Sequence, residues 1–226
     1  MSRIGHMTKD EKRQRLLKIF DILLSSFGRR NWWPGDTPLE VMVGAILTQN
    51  TSWKNVERAI INLKDQGLLE VDALYRIDEK ALAEIIKPAG YYNIKSNRLK
   101  NFIKVIHDKY GSTIDNLSKY DTKSLKDILL DIKGIGEETA DSILLYALNR
   151  PIFVVDAYTK RFLKNHDLYN GNGNYVDIQR FFIDHLPEDT ALYNEYHALL
   201  VYLGQHFCKK IPKCKGCPLE TEGSSS

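Results

Sequence analysis

The stretch Ile132-Lys133-Gly134-Ile135-Gly136-Glu137-Glu138-Thr139-Ala140 constrains this chain more than any other. Two glycines bracket one apolar residue, and amphipathic segments lie on either side. Glycine permits positive φ and lets a backbone approach another group closely. A helix starts at once after the turn, so its first amides lack intrahelical partners and suit an anion such as a DNA phosphate. Ile135 would plug the junction between the two helices. An ordinary helix C-cap followed by a second helix also uses glycine pairs, so the surrounding residues have to decide.

Helical periodicity dominates the rest. Residues 12–27 carry Leu16, Leu17, Ile19, Phe20, Leu23 and Leu24 in one stripe. The run Asn31-Trp32-Trp33-Pro34-Gly35-Asp36 interrupts it, and Thr37-Pro38 reads as cap and first turn of a helix through Ile46. Ser52 starts another helix, with Val56, Ala59, Ile60 and Leu63 inward. Further helices are predicted over 78–86, 94–110, 125–132, 138–148, 157–165, 176–186 and 191–207. Residues 152–155 are β-branched but too few to found a sheet. Low complexity is confined to Ser224–Ser226.

With 226 residues the chain can bury a core in one domain or two small lobes. Hydrophobic residues at 43% and charged residues at 27% are ordinary for a soluble globular protein. A net charge of +3 permits a polyanionic partner without demanding one. No apolar run is long enough to span a bilayer, and Met1–His6 lacks a signal-peptide core. Those six residues read as an addition ahead of a native start at Met7, and the expected location is cytoplasmic, near the nucleoid. Cys208, Cys214 and Cys217 cluster near the C-terminus, with metal-ligand spacing rather than a disulfide framework.

Asp156 ends the run Ile152-Phe153-Val154-Val155, just ahead of a predicted helix. It reads as a helix N-cap, as a catalytic carboxylate, or as both.

The glycine turn with its downstream aspartate resembles the endonuclease III superfamily of helix–hairpin–helix DNA glycosylases. Three further runs extend the resemblance: Gly44-Ala45-Ile46-Leu47-Thr48-Gln49-Asn50-Thr51, then Gly90-Tyr91-Tyr92-Asn93-Ile94-Lys95, then Val154-Val155-Asp156. They cover roughly residues 32–217 in the family's order. Within it, the chain is similar to the type III 3-methyladenine DNA glycosylases through Trp32-Trp33-Pro34, Trp53 after the Leu-Thr-Gln-Asn-Thr run, Lys133-Gly134-Ile135-Gly136 and Glu138.

The resemblance implies an all-α, two-lobed fold with the active-site cleft between lobes. Residues 1–37 would pack with the C-terminal lobe, 38–148 would form the central lobe with the hairpin Gly134, Ile135 and Gly136, and 149–226 the C-terminal lobe with the cysteine loop. Asp156 becomes the essential carboxylate, stabilising positive charge on the deoxyribose and orienting water. Bifunctional relatives carry a Schiff-base lysine where this chain has Glu138, and glutamate cannot form an imine. A monofunctional glycosylase follows, acting in base excision repair on a damaged base in double-stranded DNA, as a monomer and with no cofactor needed for the chemistry. A 3-methylated adenine, being cationic, leaves readily and fits a weak water nucleophile.

Trp32, Trp33 and Trp53 are the chain's only tryptophans, and the resemblance places them in the base pocket, where a flipped cation would stack. Packing between lobes is the plainer role for such residues. Gln49 and Asn50 correspond to a wedge that fills the hole left by the flipped nucleotide, or else cap a helix. Lys95, Arg98 and Lys100 either contact phosphates or form a solvated basic face.

The superfamily's iron–sulfur loop uses four cysteines for a [4Fe-4S] cluster. Here Cys208 and Cys214 are separated by five residues, Cys214 and Cys217 by two, and Thr221-Glu222-Gly223 stands where a fourth would fall. Loss of the cluster, an unusual fourth ligand and an altered C-terminus all remain open, as does a zinc site using the three thiolates and His206. Two rival functions are an endonuclease III-like glycosylase with AP lyase activity on oxidised pyrimidines, and a non-catalytic helix–hairpin–helix DNA-binding module. The carboxylate at Asp156 argues against the second.

Overall fold

Short polar side chains start most helices of the computed structural model, which describes residues 7–30, 32–169, 171 and 173–223. In chain order these are α1 (Lys9–Phe27), α2 (Pro38–Leu47), α3 (Trp53–Asp65), α4 (Val71–Arg76), α5 (Glu79–Ile85), α6 (Tyr92–Tyr110), α7 (Thr122–Leu130), α8 (Glu137–Ser142), α9 (Ala157–Asn165), α10 (Tyr175–His185), α11 (Thr190–His206) and α12 (Glu220–Gly223). Thr8 and Glu11 form a reciprocal capping box on α1. Thr37 accepts from the Glu40 N–H, with Pro38 opening α2. Asp78, Asp121, Asn174 and Asp189 do the same for α5, α7, α10 and α11. Each such cap stabilises its helix by roughly 1 kcal/mol.

The described residues contain no strand, so the fold is all-α. Among them, no helix is long and apolar enough to cross a membrane. The expectations for Met1–His6, Asn31 and Ser224–Ser226 fall outside the described residues.

Two units emerge from the contacts, one of residues 33–150 and the other of residues 1–32 with 151–226. In the first, every residue of α2 from Leu39 to Leu47 is buried. Such a helix has no solvated face and serves as a core strut. It packs against α3, α6, α8 and the segment Ile143–Ala147. The sequence predicts one helix over 138–148. Instead α8 stops at Ser142 and the backbone widens into a π-helical stretch, Ile143–Ala147. α7 and α8 are joined by a buried ion pair, Lys126 Nζ to Asp141 Oδ2 at 3.0 Å, with Asp141 fully buried.

In the second unit α11 packs against α9 and α1, and α10 also packs against α1. Phe153 stacks on Phe182 with centroids 3.9 Å apart, and Tyr193 and Tyr196 meet Phe153 edge-on. The Tyr196 hydroxyl donates to the Leu16 carbonyl at 2.9 Å, tying α11 to α1.

Candidate active site

The hairpin is closed by the Ile135 N–H donating to the Ile132 carbonyl at 3.0 Å. Gly134 sits at φ +100, and a side chain there would also collide with the Arg98 stem. Gly136 differs. It is the N-cap of α8 with φ −102 and ψ 178, a conformation open to any residue. A Cβ on it would meet no protein atom within 4 Å. The first glycine is therefore demanded by the chain itself, whereas the second leaves the outer side of the turn bare. Ile135 and Ile132 are buried beneath it. Glu138 is exposed on the first turn of α8.

Gln49 is engaged with this hairpin, a link the sequence did not signal. Its Nε2 donates to the Gly134 carbonyl at 3.2 Å and to Thr139 Oγ1 at 2.9 Å. Its Oε1 accepts from the Arg98 guanidinium. Asn50, paired with it in the sequence reading, is exposed at φ +55.

Two of the three basic residues that offered either phosphate contacts or a solvated face are otherwise occupied. Lys95 is 1% exposed, and its Nζ donates to the Ala89 carbonyl at 2.8 Å. Lys100 Nζ donates to the carbonyls of Leu74, Tyr75 and Ile77 at the end of α4. The periodicity of α6 turns both amines toward carbonyls left open where neighbouring short helices end.

Trp33 and Trp53 are brought together edge-to-face, centroids 5.1 Å apart. Tyr146, which sequence reasoning missed, tilts against Trp33 at 5.3 Å. All three rings are half-buried. Gly44 of α2 lies beneath them: a Cβ there would sit 3.1 Å from Trp33 Nε1 and 3.5 Å from the Trp53 ring. Trp32 is also half-buried but belongs to the other unit.

Asp156 is the N-cap of α9, its Oδ1 accepting from the Thr159 N–H at 2.7 Å. Phe153, Val154 and Val155 are buried ahead of it and fix its backbone. Gln179 Nε2 holds the Phe153 carbonyl at 2.6 Å. On α11, His197 Nε2 lies 3.6 Å from Asp156 Oδ2, and the two side chains are nearly sealed from solvent. No spacing in the sequence pairs these two; only the packing of α9 on α11 does. Burial alone would push the Asp156 carboxyl up. The His197 imidazolium 3.6 Å away and the Thr159 N–H bond outweigh it and hold the carboxyl below its ordinary 3.8.

Cys208, Cys214 and Cys217 line one cavity of about 190 Å³, together with His166, Phe207 and Glu220. Burial pushes the Cys208 and Cys217 thiols up, which favours the protonated, unreactive form. His206 is not on this lining; it leans on Tyr202, one turn earlier in α11, at 4.1 Å between centroids. Among the described residues, no group of three or more His, Cys, Asp or Glu is arranged to hold a metal ion. Three cysteines fall one short of the four thiolates that a cubane ordinarily takes.

An all-α chain with a bare glycine turn on one unit and an ionised, buried carboxylate on the other falls in the class of helix–hairpin–helix DNA glycosylases. Its sequence makes the assignment definite: residues 43–187 match the HhH-GPD superfamily of base excision DNA repair proteins, and the chain belongs to it. It is 51% identical over 214 residues, 94% of this chain and 97% of the other, to MJ1434 of Methanocaldococcus jannaschii, described as a provisionally assigned DNA repair glycosylase. The H. pylori 3-methyladenine DNA glycosylase, solved bound to 1,N6-ethenoadenine, is similar at 30% identity and a TM-score of 0.72, covering 88% of this chain and 98% of that one. An endonuclease III in a non-covalent DNA complex shares the fold at a TM-score of 0.80 and 18% identity, covering 93% and 94%.

Proposed function

We propose that this glycosylase excises a cationic alkylated purine such as 3-methyladenine, by base flipping and water attack, without cleaving the strand. The observation that carries the chemistry is the Asp156 carboxylate, kept ionised while almost wholly buried. As the N-glycosidic bond stretches, positive charge develops on the deoxyribose, and a fixed anion in a poorly screened site stabilises it. The same carboxylate orients a water for attack on the sugar carbon. Thr159 fixes the carboxylate's position, and His197 favours its ionised form.

The substrate class rests on Trp33, Trp53 and Tyr146. Aromatic faces attract a cationic base by on the order of 1–2 kcal/mol when desolvated, and neutral adenine gains no such term. The role is that of a stacking pocket for the flipped base. The resemblance to the H. pylori enzyme supports this choice. Glu138, exposed at the start of α8, carries no amine and supports a hydrolytic route. Gly134, Ile135 and Gly136 would present backbone to a DNA phosphate, the bare outer side of Gly136 admitting close approach. Asn50, exposed after α2, and Gln49 beside it at the hairpin would border the space of the extruded nucleotide.

The test separates base release from strand breakage on duplexes carrying 3-methyladenine or an oxidised pyrimidine, with wild type and Asp156→Asn. Release of 3-methyladenine alone, lost in Asp156→Asn, is the expected result. A borohydride-trapped protein–DNA adduct would overturn the hydrolytic route. Preferential release of the oxidised pyrimidine would overturn the substrate class.

A further inference from the structure

Two successive hairpin carbonyls are held by side chains from outside the motif. Asn101 Nδ2 of α6 donates to the Lys133 carbonyl at 3.2 Å. Gln49 Nε2 donates to the Gly134 carbonyl at 3.2 Å, and Gln49 is itself held through Oε1 by Arg98. Arg98 and Asn101 lie three apart on α6 and so share a face. The Arg98 stem also fills the space over Gly134 that a side chain there would need.

Peptide units are planar and trans, so each carbonyl direction sets the direction of the next N–H. Drawing the Lys133 carbonyl toward α6 turns the Gly134 N–H to the opposite side. Holding the Gly134 carbonyl likewise directs the Ile135 N–H, which closes on Ile132. Gln49 fixes Thr139 of α8 with the same amide group, coupling the turn to the helix after it.

We propose that Arg98 is a positioning residue for the hairpin, ordering its backbone through Gln49, and that duplex affinity depends on it without a direct Arg98–phosphate contact. This rests on the reading of the hairpin as a DNA anchor. The charge of Arg98 faces Gln49, and its packing over Gly134 leaves the outer side of the turn to the backbone.

Arg98→Met keeps the stem and removes the guanidinium. Amide exchange at residues 134–138 and affinity for an undamaged duplex at several salt concentrations would be compared with wild type. Losing a charge-assisted hydrogen bond predicts hairpin amides exchanging about tenfold faster and affinity falling about tenfold. The salt dependence stays unchanged, because backbone amides release no counterions. Gln49→Ala reproduces both effects, and the double variant adds little, as expected of one network. Unchanged hairpin exchange in Arg98→Met overturns the proposal. So does a salt slope shallower by about one, which marks a direct phosphate contact. Exchange accelerated throughout α6 and α8 also overturns it, as a general loss of stability. Faster hairpin exchange with intact affinity in both variants keeps the ordering of the hairpin by Arg98 but overturns the dependence of affinity on it, and with it the hairpin as a DNA anchor.

Discussion

His197 on α11 holds the Asp156 carboxylate from 3.6 Å, across the packing of α9 on α11. The pair decides which protonation state a buried acid adopts. Without His197, burial is the dominant influence on Asp156, and its pKa rises. His197→Asn is therefore expected to shift the acid limb of the pH–rate profile for base release upward, with a smaller loss at alkaline pH. Single-turnover rates across the acid range measure this. An acid limb unmoved by the substitution would remove His197 from the control of Asp156. The same depressed pKa has a stability consequence: the stabilisation is present above 3.8 and is lost as pH falls through the lower folded value.

Gly44 marks how tightly the aromatic cluster is built. Ala in its place would bring a Cβ to 3.1 Å from Trp33 Nε1, so the indole must give by a few tenths of an ångström. Overpacking of this kind costs about 1–3 kcal/mol. Helix propensity gained by Ala, about 1 kcal/mol, offsets much of this, so Gly44→Ala is expected to change thermal stability little and to raise KM for an alkylated duplex more than it lowers kcat. Equal activity on a cationic and a neutral base in wild type would overturn the proposed preference of the aromatic cluster for a cation.

The helices were legible because their signals are local. The predicted span 157–165 matches α9, and Thr37-Pro38 starts α2 as read. α4 escaped notice, since six residues show no convincing period. The break after Ser142 also escaped, because a π-helical stretch keeps an apolar pattern while changing the hydrogen bonds. Candidate site residues were legible where a motif carried them and invisible where only packing did. Tyr146, His197 and the Gln49–Arg98 contact belong to the second kind. Lys95 and Lys100 misled for the same reason: a basic residue on a helix looks solvated until the carbonyls it serves are seen.

Lys126 and Asp141 clamp the two helices of the hairpin, with Asp141 wholly buried. Removing the cation leaves a carboxylate in a site water does not reach, which costs roughly 3 kcal/mol or more. Lys126→Met is expected to lower the unfolding free energy from urea denaturation by that order, and Lys126→Met with Asp141→Leu to recover most of it. A single variant within about 0.5 kcal/mol of wild type would show the pair to be dispensable.

Lys95 gives a signature on the alkaline side. Burial, and secondarily the charge of Arg98, lower its pKa from 10.5 to about 8. Between those values the unfolded chain holds a proton that the folded chain has released. Stability therefore rises with pH across that interval, as the cost of burying the charged amine is relieved. Below about 8 both states are protonated and the contribution is flat. Lys95→Met abolishes this rise, even though it also leaves the Ala89 carbonyl without its donor. Denaturation midpoints below, within and above the interval measure the difference between the two proteins. Parallel pH profiles would mean that Lys95 keeps its proton in the fold, held by the carbonyl dipole of Ala89 against its burial.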